Sequence, residues 1–270
     1  MPLQLNPTFG HELSQAQRTL YGGWVSSGSA VAAEIMAGSG LDMLLIDMEH
    51  APNGLESVLA QLHAASGYPL SVMVRVPAGE PVIIKQVLDL GVQNIMVPMV
   101  STAEQAEQIA AMAQYPPHGI RGVGSALARS GRWNRVPNYV NEAADHVSVF
   151  VQIETEQGLA NTAEIAAVEG IAGILLGPSD LAASMGLIGQ QTHPDVVSAV
   201  KTAFAQIDAA GKPAGVNAFD PAAARDYAAS GARWVLVGAD VVLIARGSEK
   251  LAADFIHHPT TSAAELPSSN

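Results

Sequence analysis

The chain has 270 residues, a hydrophobic content of 49% and a formal net charge of −12. This length and apolar content can fill the core of one large domain, which excludes disorder as the main state. The acidic balance argues against nucleic acid or an anionic membrane as a partner, because either would require a basic face. The chain has no cysteine, so disulfides, thiolate metal ligands and a cysteine nucleophile are excluded.

The first residues carry no signal for secretion. Residues 1–11 lack a basic stretch followed by an apolar run, and the later apolar stretches are short and interrupted by Gly, Pro or Asp. We therefore expect a soluble protein located in the cytoplasm, which agrees with the absence of cysteine.

Short runs rich in Val, Ile and Leu alternate along the chain with alanine-rich amphipathic segments. This alternation is typical of parallel strands joined by helices. The runs that we interpret as strands are residues 22–25, 43–48, 71–76, 94–98, 147–154, 173–177, 213–218 and 234–238. The clearest helices between them are residues 55–65, 81–90, 103–113, 194–210 and 221–230.

Eight strands alternating with helices predict an α/β fold, a single-domain (β/α)8 TIM barrel over residues 1–256. Residues 257–270 are rich in Ser, Thr and Pro, and we expect them to form a flexible tail. An open dinucleotide-binding sheet is less well supported, because no glycine-rich fingerprint follows the first strand.

One segment interrupts the alternation. Residues 115–141 are too long for a simple connection from helix to strand and are rich in arginine and aromatic residues. By this topology the segment emerges at the bottom of the barrel. We expect it to pack against a second subunit and to reach that subunit's active site; the alternative is a plug that closes the bottom of its own barrel.

Polar residues at the carboxyl ends of the strands are the candidates for chemistry, since TIM barrels place their active sites there. Glu154 and Asp180 follow consecutive strands and could share one divalent cation, Mg²⁺, Mn²⁺ or Co²⁺. Each could instead cap the following helix. Arg75 ends the third strand and could stabilise an oxyanion, or it could form a salt bridge with Asp47 or Glu49.

His50 lies three residues after Asp47 and is a candidate for proton transfer near neutral pH. A structural role is the alternative. Asp89, on the helix after the third strand, could orient the imidazole if the two side chains pack together. A Schiff-base mechanism is disfavoured, because Lys85, Lys201, Lys212 and Lys250 fall on helices or before a strand.

Five stretches together resemble the 4-hydroxy-2-oxoheptanedioate aldolase family of class II pyruvate aldolases, whose relatives include 2-dehydro-3-deoxyglucarate aldolase. They are LLIDMEHAPNG, PVIIKQVLDLG, YPPHGIRGVGSALARSGRWN, VQIETEQG and GPSDLAASMG, spread over residues 22–246. The resemblance implies a divalent metal, pyruvate and an aldehyde such as succinate semialdehyde as small-molecule partners, and a hexamer. Met48 stands where related sequences commonly have Gly, and Ser179 where the heptanedioate enzyme has Ala.

The resemblance also implies a role for each site residue. Glu154 and Asp180 would hold the metal, while Gln152, Ser179 and Asp180 would contact the substrate. Arg75 would stabilise the enolate, His50 would accept the proton, and Asp89 would raise the basicity of His50.

Three other functions remain open from the sequence. A lyase for malyl- or citramalyl-coenzyme A resembles this barrel but requires basic groups for the nucleotide phosphates, and the arginine-rich segment should lie on the other side of the barrel. An aldolase for sugar-acid-derived 2-dehydro-3-deoxy acids is the second. The third is a non-catalytic binding barrel in which the strand-end residues only cap helices.

Overall fold

The computed structural model describes residues 2–256, so the predicted tail at 257–270 lies outside the described residues. Eight parallel strands pair in chain order, and the first also pairs with the last, which closes the barrel. The predicted (β/α)8 barrel is therefore confirmed. The strands are β1 Leu20–Val25, β2 Met43–Asp47, β3 Ser71–Arg75, β4 Asn94–Val97, β5 Ser148–Ile153, β6 Ile171–Leu176, β7 Ala214–Asn217 and β8 Trp234–Ala239.

Helices surround the barrel, and several begin with proline at the first helical position, where its fixed φ suits a helix start. The helices are α1 Phe9–Gln15, α2 Ala30–Ala37, α3 Leu55–Ala65, α4 Pro81–Asp89, α5 Ala103–Ala113, α6 Tyr139–Glu142, α7 Glu156–Ala160, α8 Thr162–Ala167, α9 Pro178–Ser184, α10 Pro194–Ala209, α11 Pro221–Ala229 and α12 Asp240–Phe255. A 3-10 turn at Ala143–His146 leads into β5.

Alternation along the strands separates two layers of core. Outward side chains such as Leu44, Ile46 and Val74 pack under the helices in one large cluster. Inward side chains such as Met73 and Phe150 fill the barrel itself. Because the period of a strand is two residues, the inward series must continue at the strand ends. It ends in polar residues, Asp47 after Met43 and Leu45, Arg75 after Met73, and Gln152 after Phe150.

Helix α1 closes the amino-terminal end of the barrel. Phe9 enters the interior, with its ring centroid 5.8 Å from that of Phe150 and 5.9 Å from that of Trp234. The Phe9 backbone N–H donates to Asn94 Oδ1 at 2.7 Å, and Thr8 caps the helix. The plug that the sequence analysis considered for residues 115–141 is thus formed by α1.

Residues 115–141 lie beside the carboxyl end of α4, at the bottom of the barrel as predicted. Arg121 is buried, its guanidinium is 4.6 Å from the centroid of the Tyr115 ring, and Arg129 donates to the Leu90 carbonyl at 2.8 Å. The rest of the segment is less protected. It exposes apolar side chains at Ile120, Val123, Leu127 and Trp133.

Helix α12 contributes little to the core of this chain. Asp240 is its only buried residue in the described structure, and its carboxylate accepts from the Ser26 backbone N–H at 2.8 Å. Large apolar side chains along the helix are exposed, among them Leu243, Leu251 and Phe255. Within residues 2–256, no helix has both the length and the apolar character required to cross a membrane.

Candidate active site at the carboxyl ends of the strands

A cavity of about 230 Å³ opens at the carboxyl ends of the strands. Five side chains proposed from the sequence line this cavity, and they are His50, Arg75, Gln152, Ser179 and Asp180. They come together because each follows or ends a strand, and parallel strands in a closed barrel all end on the same side.

Arg75 is held from several directions. Its Nε donates to Asp47 Oδ1 at 2.9 Å and its Nη2 to Asp47 Oδ2 at 2.8 Å, while Nη1 lies 3.0 Å from Glu49 Oε2. The guanidinium also stacks 4.4 Å from the centroid of the Trp24 ring. The salt bridge considered from the sequence is therefore present, and it fixes the guanidinium at the wall of the cavity.

Asp47 keeps its charge in spite of burial. Burial by itself would raise its pKa, but the hydrogen bonds and the positive charge of Arg75 outweigh that effect and lower the pKa below its ordinary value. The backbone N–H groups of Glu49, at 3.0 Å from Oδ1, and of His50 act in the same direction. Asp47 consequently anchors both Arg75 and the loop that carries His50.

His50 lies at the rim of the cavity. Its side chain is 65% exposed, and its Nε2 is 3.7 Å from Glu49 Oε2. Burial raises the pKa of Glu49, as do the charges of Asp47 and Asp180, although Arg75 and His50 oppose this rise. The imidazole can thus reach both solvent and a bound molecule in the cavity, which suits a group that transfers protons.

Asp89 lies away from this site within one chain, so the packing on which its predicted role beside His50 depends is not present there. It is the last residue of α4, and a helix after a barrel strand runs back toward the opposite end of the barrel. Its Oδ1 instead accepts from Arg121 Nη2 at 2.8 Å. Any contact between Asp89 and a His50 side chain would require a second copy of the chain.

Glu154 follows the last residue of β5 and is only 2% exposed. Its Oε1 accepts from the Met99 backbone N–H at 2.8 Å, and its Oε2 accepts from Gln152 Nε2. Burial raises the pKa of Glu154 to about 7, with further increases from the charges of Asp180 and Glu49 that the Met99 hydrogen bond and Arg75 only partly offset. Glu154 lies behind Gln152 and Gly177, which line the cavity.

Asp180 is exposed in the first turn of α9, directly after β6. Its carboxylate is close enough to raise the pKa of both Glu154 and Glu49. Asp47 and Glu49 contact the guanidinium of Arg75, and Glu154 and Asp180 lie in the same site, so four carboxylates share one guanidinium and leave an excess of negative charge when all are ionised. A divalent cation would relieve this repulsion, and carboxylate oxygens are the ligands that Mg²⁺ and Mn²⁺ prefer.

The residues present therefore fit a divalent metal that is only partly coordinated by protein side chains. No three acidic or histidine side chains in the described part of the chain converge as a complete ligand set. Glu154 and Asp180 would supply two ligands, which leaves the other positions to water and to oxygens of a substrate. A site of this kind is open, as in metal enzymes whose substrate joins the coordination sphere.

Trp24, Asn217 and Phe219 are among the cavity residues that the sequence analysis missed. Trp24 and Asn217 lie at the ends of β1 and β7, and Trp24 Nε1 donates to Asn217 Oδ1 at 2.8 Å. Phe219 lies at the mouth and is 41% exposed. Asn217 could have been found by the strand-end rule. Trp24 has no such signal, because a tryptophan in an apolar run is indistinguishable from core.

A closed barrel with ionisable side chains at the carboxyl ends of its strands is the architecture of a TIM-barrel enzyme. The family model described as HpcH/HpaI aldolase/citrate lyase matches residues 20–246. A hydroxypyruvate/pyruvate aldolase from Deinococcus radiodurans is 51% identical over 94% of this chain and 92% of its own length. A 4-hydroxy-2-oxo-heptane-1,7-dioate aldolase from Salmonella heidelberg is 48% identical over 89% of this chain and 92% of its own.

A solved structure is also similar to this chain in fold and in sequence. A HpcH/HpaI aldolase/citrate lyase family protein from Burkholderia cenocepacia superposes with a TM-score of 0.87 at 37% identity, over 91% of this chain and 97% of its own. The chain belongs to the HpcH/HpaI aldolase/citrate lyase family, and it is a lyase. The family resemblance and the aldolase function predicted from the sequence are confirmed.

Proposed function

We propose that this protein is a divalent-metal-dependent aldolase that reversibly cleaves 4-hydroxy-2-oxo acids to pyruvate and an aldehyde. The observation that carries this proposal is the excess of carboxylates around one buried guanidinium, with the pKa of Glu154 raised to about 7. Such an arrangement is costly for folding alone, so it indicates a site built for a cation and an anionic substrate.

Glu154 and Asp180 would hold the cation, Mg²⁺, Mn²⁺ or Co²⁺. When bound, this ion supplies positive charge that stabilises the oxyanion developing on the substrate. Arg75 acts on the same oxygen from the wall of the cavity. Because Asp47 and Trp24 fix the guanidinium before substrate binds, little reorganisation is required as the charge develops.

Cleavage begins when His50, directly or through a water, removes the proton from the C4 hydroxyl group of the substrate. The C4 oxygen forms a carbonyl, the C3–C4 bond breaks, and its electron pair forms the enolate of pyruvate, with the negative charge on the C2 oxygen beside Arg75. Protonation at C3 then releases pyruvate. Gln152 connects the two sides of the site, because Arg75 Nη1 donates to its Oε1 at 3.4 Å and its Nε2 donates to Glu154.

The range of substrates follows from the cavity and the relatives. A volume of about 230 Å³ suits a 2-oxo acid headgroup, and the far end of a longer substrate would extend past Phe219 into the mouth. The name of the Deinococcus relative indicates pyruvate or hydroxypyruvate as the donor. A panel of heptanedioate-, glucarate- and rhamnonate-derived hydroxy-oxo acids, assayed for pyruvate release, identifies the preferred aldehyde.

Chelation should abolish this activity. In excess EDTA we expect the rate of pyruvate release to fall by about 10³-fold or more. The positive charge of the cation stabilises the transition state by several kcal/mol, and chelation removes it. Adding Mg²⁺, Mn²⁺ or Co²⁺ should restore it. As a control for the alternative mechanism, borohydride with pyruvate should leave no adduct on any lysine. Full activity in EDTA, or a trapped lysine adduct, would refute the metal mechanism.

We further propose that the protein is a homo-oligomer, with a hexamer expected from the family resemblance. The exposed apolar side chains of α12, which include the consecutive residues Val241 to Ile244, and those of residues 115–141 support this proposal, because large contiguous apolar surfaces are typical of interaction sites. Light scattering should give a mass several times that of the 27.9 kDa chain. A monomer at micromolar concentration would remove the proposed interface and, with it, any contribution of Asp89 to a neighbouring His50.

A further inference from the structure

A second cavity, of about 370 Å³, lies at the amino-terminal end of the barrel, opposite the candidate active site. Its walls include Ser71 and Asn94, the first residues of β3 and β4, and Gly91, which follows α4. Residues 115–141 cover one side and contribute Arg129 and Arg132. None of these residues takes part in the proposed aldolase reaction.

The two arginines converge on one point. Measured to the position that a Cβ on Gly91 would occupy, Arg132 Nη1 lies at 2.5 Å and Arg129 Nη1 at 3.0 Å. Gly91 has a φ of +85°, so glycine is favoured by the backbone as well as by the space that the guanidinium groups take. Two positive charges therefore lie side by side at a half-buried position.

Neither arginine has an acidic partner in the described part of the chain. Arg129 Nη1 donates to the Leu90 carbonyl, and Arg132 Nη1 donates to the Arg129 carbonyl. Burial lowers the pKa of both groups, and for Arg129 the charge of Arg132 lowers it further. Each guanidinium has five N–H donors, so most of this capacity is free for a ligand.

The two fully buried arginines of the described residues differ in this respect, whereas the half-buried Arg233 also donates only to backbone carbonyls, those of Leu13 and Ala16. Arg75 is paired with Asp47 and Glu49, and Arg121 with Asp89. In a protein with a net charge of −12, acidic partners are plentiful. Two adjacent, partly desolvated cations without one carry an electrostatic cost that a bound anion would remove.

We propose that Arg129 and Arg132 form a binding site for a small oxyanion with two negative charges, either a phosphate group or a dicarboxylate. Both chemistries offer pairs of oxygens that match the planar fork of a guanidinium. Glu12 is the acidic side chain on the wall of the cavity, and its Oε2 accepts from Ser71 Oγ at 2.9 Å.

Binding there would have a structural consequence. Arg129 and Arg132 belong to the segment that lies over the end of α4, so an anion held by them that also contacts Ser71 or Asn94 on the barrel wall would tie this segment to the barrel. The ligand should therefore stabilise the native state by mass action and protect residues 124–136 from hydrogen exchange.

Calorimetric titration with inorganic phosphate and with succinate, at constant ionic strength set with NaCl, tests the site. We expect saturable binding by the wild-type protein, weakened at least tenfold in Arg129→Gln and Arg132→Gln. Arg135→Gln is the matched control, since Arg135 is exposed in the same segment and does not line the cavity. Arg75→Gln separates this site from the active site, and both controls should bind as the wild type does.

Hydrogen exchange locates the ligand independently of these variants. Phosphate or succinate should slow exchange in residues 124–136 and leave the loop around His50 unchanged. If the glutamine variants are unstable, Arg129→Lys and Arg132→Lys can replace them. These variants keep the charge, and they should still bind phosphate and succinate more weakly than the wild type does. If phosphate binds more tightly than succinate, the ligand is a phosphoryl compound, and if succinate binds more tightly, it is a dicarboxylate. The proposal would be overturned if the wild type showed no saturable binding, if Arg75→Gln lost as much affinity as the Arg129 and Arg132 variants, or if those variants bound as the wild type does. None of these outcomes depends on whether the protein is an aldolase.

Discussion

Replacing Glu154 with Gln is expected to abolish aldolase activity, by about 10³-fold or more, while making the metal-free protein more stable. The amide retains the shape of the side chain and can still accept from Met99, although its NH2 group cannot accept the hydrogen bond from Gln152, and it is a poor ligand for a hard cation. Calorimetry with Mn²⁺ should show affinity lost together with activity. Retained Mn²⁺ binding would mean that the cation lies elsewhere.

The gain in stability depends on pH in a defined direction. The pKa of Glu154 is about 7 in the folded protein against an ordinary value of 4.5. Between these values the folded state binds more protons than the unfolded state, so the free energy of unfolding of the metal-free wild type falls as pH rises. Glu154→Gln removes this loss, so it should be more stable by about 2–3 kcal/mol at pH 8 and by little at pH 4.5.

Urea denaturation in EDTA at both pH values measures this difference. Thr202→Ala, an exposed change on α10, should show no pH-dependent gain and serves as the control. A gain of the same size at both pH values would show that it arises from packing and not from the charge of a carboxylate.

Arg75→Lys is expected to lower kcat by about 10²–10³-fold, although the positive charge is retained. Lysine cannot reach Asp47 with two parallel hydrogen bonds, contact Glu49 and stack on Trp24 at the same time. The positive charge would therefore no longer be fixed beside the oxygen on which charge develops. The loss should appear mainly in kcat, since the divalent metal ion would still bind the carboxylate of the substrate.

The matched control is Arg18→Lys, because Arg18 forms a similar two-contact ion pair with Asp42 but is 63% exposed. This variant should keep full activity. If Arg75→Lys is also fully active, the guanidinium geometry has no catalytic role. A loss confined to KM would assign Arg75 to substrate binding alone.

Much of the barrel could be predicted because its strands and helices carry local signals. Residues 55–65 and 103–113 form α3 and α5 with the predicted bounds, and each predicted strand overlaps an observed one. Helix α1 was not predicted. Its stability depends on Phe9 and Leu13 entering the barrel, which is a contact between residues distant in sequence. The early start of β6 was also missed, because Gly170 and Gly173 interrupt the apolar run.

The candidate site was predictable where one rule sufficed and not where packing decided. Strand-end position brought His50, Arg75 and Asp180 into one cavity. The contact of Asp89 with a His50 side chain stays a prediction, because it is not made within one chain and family resemblance carries no information on which chain supplies a residue. The anchoring of Arg75 by both Asp47 and Glu49 could only be offered as an alternative, since sequence does not distinguish a held guanidinium from a free one.

The most direct test of the proposed mechanism is the anomalous diffraction of Mn²⁺ in crystals soaked with pyruvate. We predict one strong peak between the carboxylates of Glu154 and Asp180, with the C2 oxygen of pyruvate facing Arg75. A peak at any other position, or pyruvate bound in the cavity with no cation beside these two residues, would contradict it.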